Sequence, residues 1–295
     1  MKHLKLLLYL LGFGLVLTAC GGDEDEDIVE VETNSNRNDI SVHPEAGRLE
    51  MPRLKGGNSI LIVHKTSDTY DAQGVNYCVE WDVQKKSQRW SCYQLNNRLL
   101  TQKTSRYYSD DNQYPLDEDM QANYYFDYDY FWGSGFDHGH ICPSADRLYS
   151  REANYQTFFL TNMQPQFKKF NAGLWAVMED QVRQWARSSG TEMLYICKGG
   201  TIDKDSDILK RVSNQLIVPK YFFMALLLKN ANGYRALAFW TQNENMDRSG
   251  DALSSYVISI DELETRTGID FFCNLPDNTE KQVEANVALN AWGLQ

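Results

Sequence analysis

The chain has 295 residues, of which 42% are hydrophobic, and a formal net charge of −11 at pH 7. An acidic balance argues against a tight nucleic-acid binder, because phosphate binding normally draws on Lys and Arg. Residues 20–50 carry −8 of this charge and the basic N-terminus carries +2, which leaves −5 for residues 51–295, a level that suits an enzyme that turns over its substrate.

The N-terminus is predicted to be a targeting segment. A short basic stretch ends at Lys5, and the apolar run from Leu6 to Leu17 is too short for a comfortable membrane span. The small residues before Cys20 resemble a bacterial lipoprotein signal, which predicts removal of residues 1–19 and lipidation of Cys20. An ordinary signal peptide and an uncleaved anchor are the alternatives. We therefore expect a cell-envelope protein that its lipid anchors to the membrane, at the outer membrane and exposed at the surface, or a secreted one.

An acidic segment follows the predicted lipid site. Residues 20–50 contain ten acidic residues and are poor in aromatic ones. A segment of this composition buries too little apolar surface to fold, so we expect a disordered tether. Residues 51–295 are predicted to form one domain with a sizeable core, because no repeat or flexible linker divides them.

Strand-like runs predominate in the predicted domain. Ser59–Lys65 is apolar enough for a buried strand, and the alternating run Val75–Val83 is predicted to form a hairpin with Arg89–Leu95. The further predicted strands are Glu192–Cys197, Gln215–Val218, Tyr221–Lys229 and Tyr234–Thr241.

Two helices are predicted among these strands. Apolar residues recur at helical spacing over Ala172–Arg187, and Ser259 to Glu262 has the pattern of a capping box that opens a helix ending near Gly268. Strands outnumber helices and the two are mixed along the chain. This mixture predicts the α+β class with a mostly antiparallel sheet.

Five cysteines follow Cys20, and an exported protein can oxidise them. Cys78 and Cys92 lie in strands predicted to pair, so they are candidates for a disulfide. Cys142 and Cys197 are a second candidate pair, and the odd count leaves one thiol free. No Cys-x-x-Cys spacing occurs, which argues against a zinc ribbon.

Candidate catalytic residues begin at His140, in a turn-rich stretch of the chain. An imidazole with an ordinary pKa near 6.5 is suited to act as a general base, although a lone His is more often structural. Asp137 is placed to orient this ring or to hold a metal-bound water. Asn171 offers a carboxamide oxygen, which is a hard ligand suited to Mg²⁺, or else it caps the helix that follows.

Glu179 and Arg183 are four residues apart and share one face of that predicted helix. A pair at this spacing is usually a solvated salt bridge. On a helix that begins with a candidate metal ligand, Glu179 is predicted to hold the metal or its water. Arg183 is then placed to neutralise the charge that develops on a reacting phosphate.

Together, Phe136–Arg147, Thr161–Gln166 and Asn171–Arg183 resemble the DNA/RNA non-specific endonucleases, whose signature is Asp-Arg-Gly-His. The resemblance covers about Ser59 to Leu275. It implies the α+β ββα-metal (His-Me finger) nuclease fold, with a central, mostly antiparallel sheet flanked by helices. It also implies that Asn171 is the metal ligand, and it assigns Asn162 and Gln166 to substrate binding as residues that shape the site.

This chain has His138 where the signature has Arg, a residue expected to contact phosphate. His is a weaker phosphate clamp and is mostly neutral at pH 7. Three outcomes are open: lower activity or a more acidic optimum, replacement by another cation such as Arg147, or an inactive site. A zinc site at His138 and His140 is a further alternative, but a third ligand is not evident.

The expected function is metal-dependent, sugar-non-specific endonuclease activity on DNA and RNA, with Mg²⁺ as cofactor and Mn²⁺ as a substitute. The expected partners are DNA and RNA as substrates and a membrane through the N-terminal lipid. The alternative is a catalytically weak or inactive nuclease-like surface lipoprotein that binds nucleic acid or another ligand. His138 supports that alternative, whereas the presence of His140, Asn171 and Glu179 opposes it.

Overall fold

A seven-stranded antiparallel sheet organises the molecule. The computed structural model describes residues 32–67 and 71–295. The predicted signal peptide, Cys20 and the first part of the predicted tether lie outside these residues. In the described part of the chain, no helix is long and apolar enough to cross a membrane.

The strands are β1 (Ser59–Lys65), β2 (Val75–Asp82), β3 (Ser87–Leu95), β4 (Asp137–His140), β5 (Met163–Gln166), β6 (Met193–Gly200), β7 (Ile208–Val212), β8 (Leu216–Pro219), β9 (Tyr221–Asn230), β10 (Gly233–Gln242) and β11 (Val257–Ile258). The α-helices are α1 (Arg151–Gln156), α2 (Lys168–Phe170), α3 (Ala176–Arg187), α4 (Ile260–Thr267) and α5 (Asp277–Ala285).

The main sheet has the order β1-β2-β3-β6-β9-β10-β11, and each neighbouring pair is antiparallel. The strands β4 and β5 form a separate hairpin, as do β7 and β8. The α+β class and the antiparallel central sheet predicted from the sequence are confirmed.

The sheet separates two hydrophobic cores, because successive side chains of a strand point to opposite faces. Val79 and Trp81 of β2 belong to the first core, which also holds Trp175 and the apolar side of α3. Cys78 of β2 belongs to the second core, which also contains apolar residues of α4 and α5. Every residue of β2 is buried for this reason.

The predicted helix over Ala172–Arg187 is interrupted near its start. Asn171–Trp175 forms a π-turn in which Gly173 departs from helical geometry, with φ −108° and ψ −111°, and α3 begins only at Ala176. At Gly268 the prediction was accurate, since α4 ends there with φ 71° in a left-handed cap. The capping hydrogen bond from Glu262 N to Ser259 Oγ is also present.

Residues 32–50, which the composition assigns to the tether, lie against the domain in the structure. Asn38 is 5% exposed and its Nδ2 donates to the carbonyl oxygens of Ala46 and Pro52. Thr33 and Ser35 hydrogen-bond to Asp277 at the start of α5. These short polar side chains provide specific contacts that a hydrophobicity argument does not reveal.

The described cysteines are all free and buried. Cys92 of β3 lies directly opposite Cys78 on one side and Cys197 on the other. Cys142 belongs to the first core and Cys197 to the second, so the structure does not bring together the predicted pair of Cys142 and Cys197.

Candidate active site

The strand β4, which pairs with β5, forms the floor of a cleft of about 560 Å³. Gly139 is pressed against the side chain of Gln166, where an added Cβ would lie 2.4 Å from the nearest side-chain atom. The cleft is lined by β4, by the π-turn with the first turn of α3, and by the irregular segment before β4. Its polar and aromatic lining includes Arg106, Tyr114, Trp132, Asp137, His138, His140, Asn171, Trp175 and Glu179.

His140 is held at the cleft with one ring nitrogen unused. Its ring packs edge-on against Phe158, with centroids 4.8 Å apart. Nε2 is buried and has no hydrogen-bond partner. Burial, together with the smaller effect of the Arg106 charge, lowers the pKa of His140 to about 3. The imidazole is therefore neutral at pH 7 and has one ring nitrogen with a lone pair that can accept a proton.

Asn171 and Asp137 meet across the cleft floor. Asn171 Nδ2 donates to Asp137 Oδ2 at 3.0 Å. A carboxylate can only accept, so this bond fixes the amide with its nitrogen toward Asp137. The carboxamide Oδ1 of Asn171 then remains to serve as a hard ligand.

Glu179 is paired with a lysine that the sequence did not single out. Lys198 of β6 places Nζ 2.6 Å from Glu179 Oε1 and 4.7 Å from the centroid of the Trp175 ring. Lys198 is 1% exposed, so this ion pair lies in the interior. Burial raises the pKa of Glu179, and the charge of Lys198 opposes that rise.

Arg183 lies behind the cleft wall and not in it. Its guanidinium donates to Asp146 Oδ1 at 2.9 Å and also contacts Asp180. Burial acts to lower the pKa of Arg183, but Asp146, Asp180 and Glu179 together outweigh it and raise this pKa above its ordinary value. Arg183 thus stays charged one helical turn from Glu179.

His138 is enclosed on three sides. Its ring stacks on Tyr114, with centroids 3.7 Å apart, and on Phe131, at 4.3 Å. Nε2 lies 2.8 Å from Asp129 Oδ2. Because both faces and Nε2 are occupied, His138 is placed to hold the cleft wall and has little freedom to clamp a phosphate.

Three residues assigned to substrate binding lie beneath the cleft. Arg147 is 1% exposed, donates to the carbonyl oxygens of Asp146 and Gln94, and stacks on Tyr93. Asn162 and Gln166 are fully buried. None of the three lines the cleft, so the structure places them where they can support it but not where they touch a substrate.

The Asn162 side chain lies below the site and makes four hydrogen bonds to neighbouring segments. Its Nδ2 donates to the carbonyl oxygens of Cys142 and Thr157, and its Oδ1 accepts from Cys142 N and Ser91 Oγ. It therefore ties the turn after β4 to β3 and to the end of α1.

Arg106 is the cation on the cleft wall that sequence reasoning missed. Its guanidinium lies 4.7 Å from the centroid of Phe158. In the part of the chain that the structure describes, no carboxylate forms an ion pair with it. Burial lowers the pKa of Arg106, while Tyr114 and Glu179 act in the opposite direction. It stands in an irregular segment without periodicity, so nothing in the local sequence marked it.

Oxygen ligands of the cleft fit a hard divalent cation. Asn171 and Glu179 supply a carboxamide and a carboxylate, the donor types that Mg²⁺ prefers. A second group, His64 with Asp117 and Asp119, lies elsewhere. There the two carboxylates contact opposite nitrogens of His64, at 3.2 and 3.1 Å, so that the group forms ion pairs around an imidazolium.

Known proteins share this architecture. The family model of the DNA/RNA non-specific endonucleases matches residues 59–278. A nuclease of Nostoc sp. is 30% identical over 232 residues, which span 75% of this chain and 80% of that protein. Human mitochondrial endonuclease G is 26% identical over 212 residues, 68% of each chain.

A solved structure supports the fold assignment. One chain in the crystal structure of the EndoG/EndoGI complex matches with a TM-score of 0.60 and 19% identity, covering 75% of this chain and 89% of that one. The predicted ββα-metal nuclease fold is thereby confirmed.

Proposed function

This chain belongs to the DNA/RNA non-specific endonuclease family, and we propose that it hydrolyses phosphodiester bonds of DNA and RNA with His140 as general base and a Mg²⁺-type ion at Asn171. The observation that carries this proposal is the cleft that brings together His140, Asp137, Asn171 and Glu179. A neutral imidazole can accept the proton of an attacking water, while a carboxamide and a carboxylate beside it can hold a divalent cation.

His140 takes the proton from the attacking water. The lowered pKa keeps the ring neutral over the physiological range, so the base needs no prior deprotonation. Packing against Phe158 helps to fix the ring's orientation. A positioned base of this kind contributes about 10²–10⁴-fold to the rate.

Asn171 and Glu179 are the residues proposed to hold the metal, with Mn²⁺ able to substitute. When bound, such an ion stabilises the negative charge that develops on the phosphate and on the leaving oxygen. Asp137 orients the Asn171 carboxamide through its hydrogen bond. Lys198 opposes the effect of burial on Glu179 and so favours its ionised form at neutral pH.

Arg106 is proposed to bind the substrate phosphate in place of the signature arginine. It lines the cleft and forms no carboxylate ion pair among the described residues, whereas His138 is already engaged with Asp129. Arg183 contributes its retained charge from behind Glu179. Recognition of the backbone alone leaves base sequence unread, which fits a substrate range of both DNA and RNA.

The lipid anchor at Cys20 and the location in the cell envelope remain part of the proposal. They rest on the apolar run and the small residues that precede Cys20. Mass spectrometry of the mature N-terminal peptide should find a diacylated Cys20, and Cys20→Ala should release the protein from the membrane fraction. An unmodified N-terminus at another residue would contradict this assignment.

Cleavage of plasmid DNA and of structured RNA tests the activity. We expect cleavage with Mg²⁺ or Mn²⁺, none with a chelator, and a loss of about 10²–10⁴-fold in His140→Ala. His43→Ala is the matched control, because His43 lies outside the cleft and its side chain makes no capping hydrogen bond. Cleavage that persists with a chelator or in His140→Ala would contradict the proposed mechanism.

A further inference from the structure

Three carboxylates meet between α4 and α5, on the face of the sheet opposite the cleft. Asp261 and Glu264 belong to α4 and Glu284 to α5, and one carboxylate oxygen from each lies within 4.8 Å of the other two. The two helices contribute to the second core, whereas the cleft is built over the first. The group is therefore separate from the candidate active site.

Glu284 is the unusual member of the group. The residue is 6% exposed, and its Oε1 is buried without a hydrogen-bond partner. Across residues 32–67 and 71–295, no Lys or Arg forms an ion pair with any of the three carboxylates. Burial, together with the smaller effect of the neighbouring carboxylates, raises the pKa of Glu284 to about 10.

The Glu264 carboxyl group also has a raised pKa, although the rise is smaller than that of Glu284. Its Oε1 accepts a hydrogen bond from the Phe271 backbone at 2.7 Å, which stabilises the charged form. Burial, together with smaller effects of Asp270 and Asp261, nevertheless raises the pKa of Glu264 to about 7. The region thus brings three carboxyl groups together without a protein cation that would favour their ionised forms.

We propose that Asp261, Glu264 and Glu284 bind a Ca²⁺ ion that joins α4 to α5. Ca²⁺ takes six to eight oxygen ligands in flexible geometry, whereas Mg²⁺ demands a near-ideal octahedron and gives up its waters reluctantly. Two helices that contribute carboxylates at different depths suit the less demanding ion. Asp261 is exposed, so waters can complete the shell on that side.

The ion would serve stability and not catalysis. It supplies the positive charge that the three carboxylates lack and gives the unpartnered Oε1 of Glu284 a ligand role. The same helix carries Asp277, to which Thr33 and Ser35 hydrogen-bond. Ca²⁺ binding therefore strengthens the region where the N-terminal segment meets the domain.

Thermal unfolding of the purified protein tests this inference. The Asn171→Ala variant provides the background, so that binding at the candidate active site does not contribute. We expect CaCl₂ alone, on the order of 10⁻³ M, to raise the melting temperature by several degrees, as ligands of the native state do. In Glu284→Gln on the same background this rise should disappear.

Two further variants separate Ca²⁺ binding from simple charge repulsion. Glu262→Gln is the matched control, because Glu262 lies on α4 but pairs with Arg266 outside the group, and it should keep the full response. Asp261→Asn, at an exposed position that tolerates change, should weaken Ca²⁺ binding about tenfold in calorimetry. A melting temperature that does not respond to Ca²⁺, or that rises equally in Glu284→Gln, overturns the inference and leaves a protonated carboxyl group as the explanation.

Discussion

Arg106 and His138 line the same cleft but differ in how many of their polar groups are already engaged. Both residues line it, but His138 is stacked between two rings and bonded to Asp129, whereas Arg106 rests on one ring and pairs with no described carboxylate. A guanidinium binds phosphate through several donors of fixed geometry, which an imidazole cannot match. The substrate contact is therefore expected from Arg106.

Replacing Arg106 tests that division of roles. Arg106→Ala is expected to lower kcat/KM by about 10²-fold, the order found when one group that stabilises transition-state charge is removed. Arg106→Lys should recover part of the loss. Arg187→Ala, at an exposed position at the end of α3, is the control and should leave kcat/KM unchanged. An Arg106→Ala variant with full activity would assign phosphate binding elsewhere.

Gly139 is required by its contact with Gln166. An added Cβ would lie 2.4–2.5 Å from three atoms of that side chain, so Gly139→Ala forces Gln166 or the hairpin to move. We expect Gly139→Ala to lower the free energy of unfolding by about 1–3 kcal/mol in urea denaturation. Gly190→Ala, where a Cβ meets nothing within 4 Å, should have little effect. Equal stability of the two variants would show that the contact relaxes freely.

At the scale of the elements, Asn162 connects the β4–β5 hairpin to the main sheet. Its side chain makes four hydrogen bonds, all in the interior. Asn162→Ala leaves several buried groups unpaired, each at a cost of about 1–3 kcal/mol. We expect a clear drop in the urea midpoint and a loss of activity that follows the loss of folded protein.

The exposed residue Asn232 provides the comparison for Asn162. Its side chain lies at the turn between β9 and β10, and Asn232→Ala should leave both the urea midpoint and the cleavage rate near those of the unchanged protein. If Asn162→Ala stays fully folded yet inactive, Asn162 acts on the substrate and not as a connector.

The predictable elements are those with local signals. The pairing of β2 with β3, the cap at Ser259 and the Gly at the end of α4 each depend on signals within a few residues, and each was predicted correctly. The alternation along β2 also suggested one solvated face, but both faces of this strand are buried. The kink at Gly173 was not predicted, because a π-turn has no simple periodicity. The role of Asn171 as a metal ligand followed from the resemblance, and that of Glu179 from its place on the same helix, since helical spacing alone cannot tell a metal ligand from a surface residue.

Residues whose environment comes from distant parts of the chain were not predictable. Arg147 looked like a free cation near the motif, but Tyr93 and the Gln94 carbonyl, more than fifty positions earlier, bury it. Arg106 and Lys198, in contrast, were not singled out in the sequence but lie at the cleft or beside it. Their places at the cleft depend on the path of an irregular segment and on the pairing of β6 with β3.

For the molecule as a whole, His64 links β1 of the main sheet to the segment that walls the cleft. Burial lowers the pKa of His64, but the charges of Asp117 and Asp119 outweigh it and raise this pKa to about 9. Protonation therefore favours the folded state. This stabilisation is fully present below about pH 6.5, the ordinary value, and is lost as pH rises through about 9.

Measurements of unfolding between pH 6 and pH 10 test this link. The unchanged protein should lose roughly 3 kcal/mol of stability from this group over the range, following the pKa difference. In His64→Gln that loss should be absent, and His43→Ala should behave like the unchanged protein. A stability difference between the unchanged protein and His64→Gln that is constant with pH would mean that His64 does not titrate in this way.

The stacking of His138 gives this position, which is Arg in the family signature, a structural role. The His138 side chain connects Tyr114, Asp129 and Phe131 to β4. The stability of the cleft wall therefore depends on its contacts with β4. Replacement of His138 by the signature arginine would therefore disturb these contacts. The longer arginine side chain would have to fit between the rings of Tyr114 and Phe131. Loss of the His138 contacts would also destabilise the cleft wall, to which Arg106 belongs. An arginine at position 138 would thus require accompanying changes at neighbouring positions.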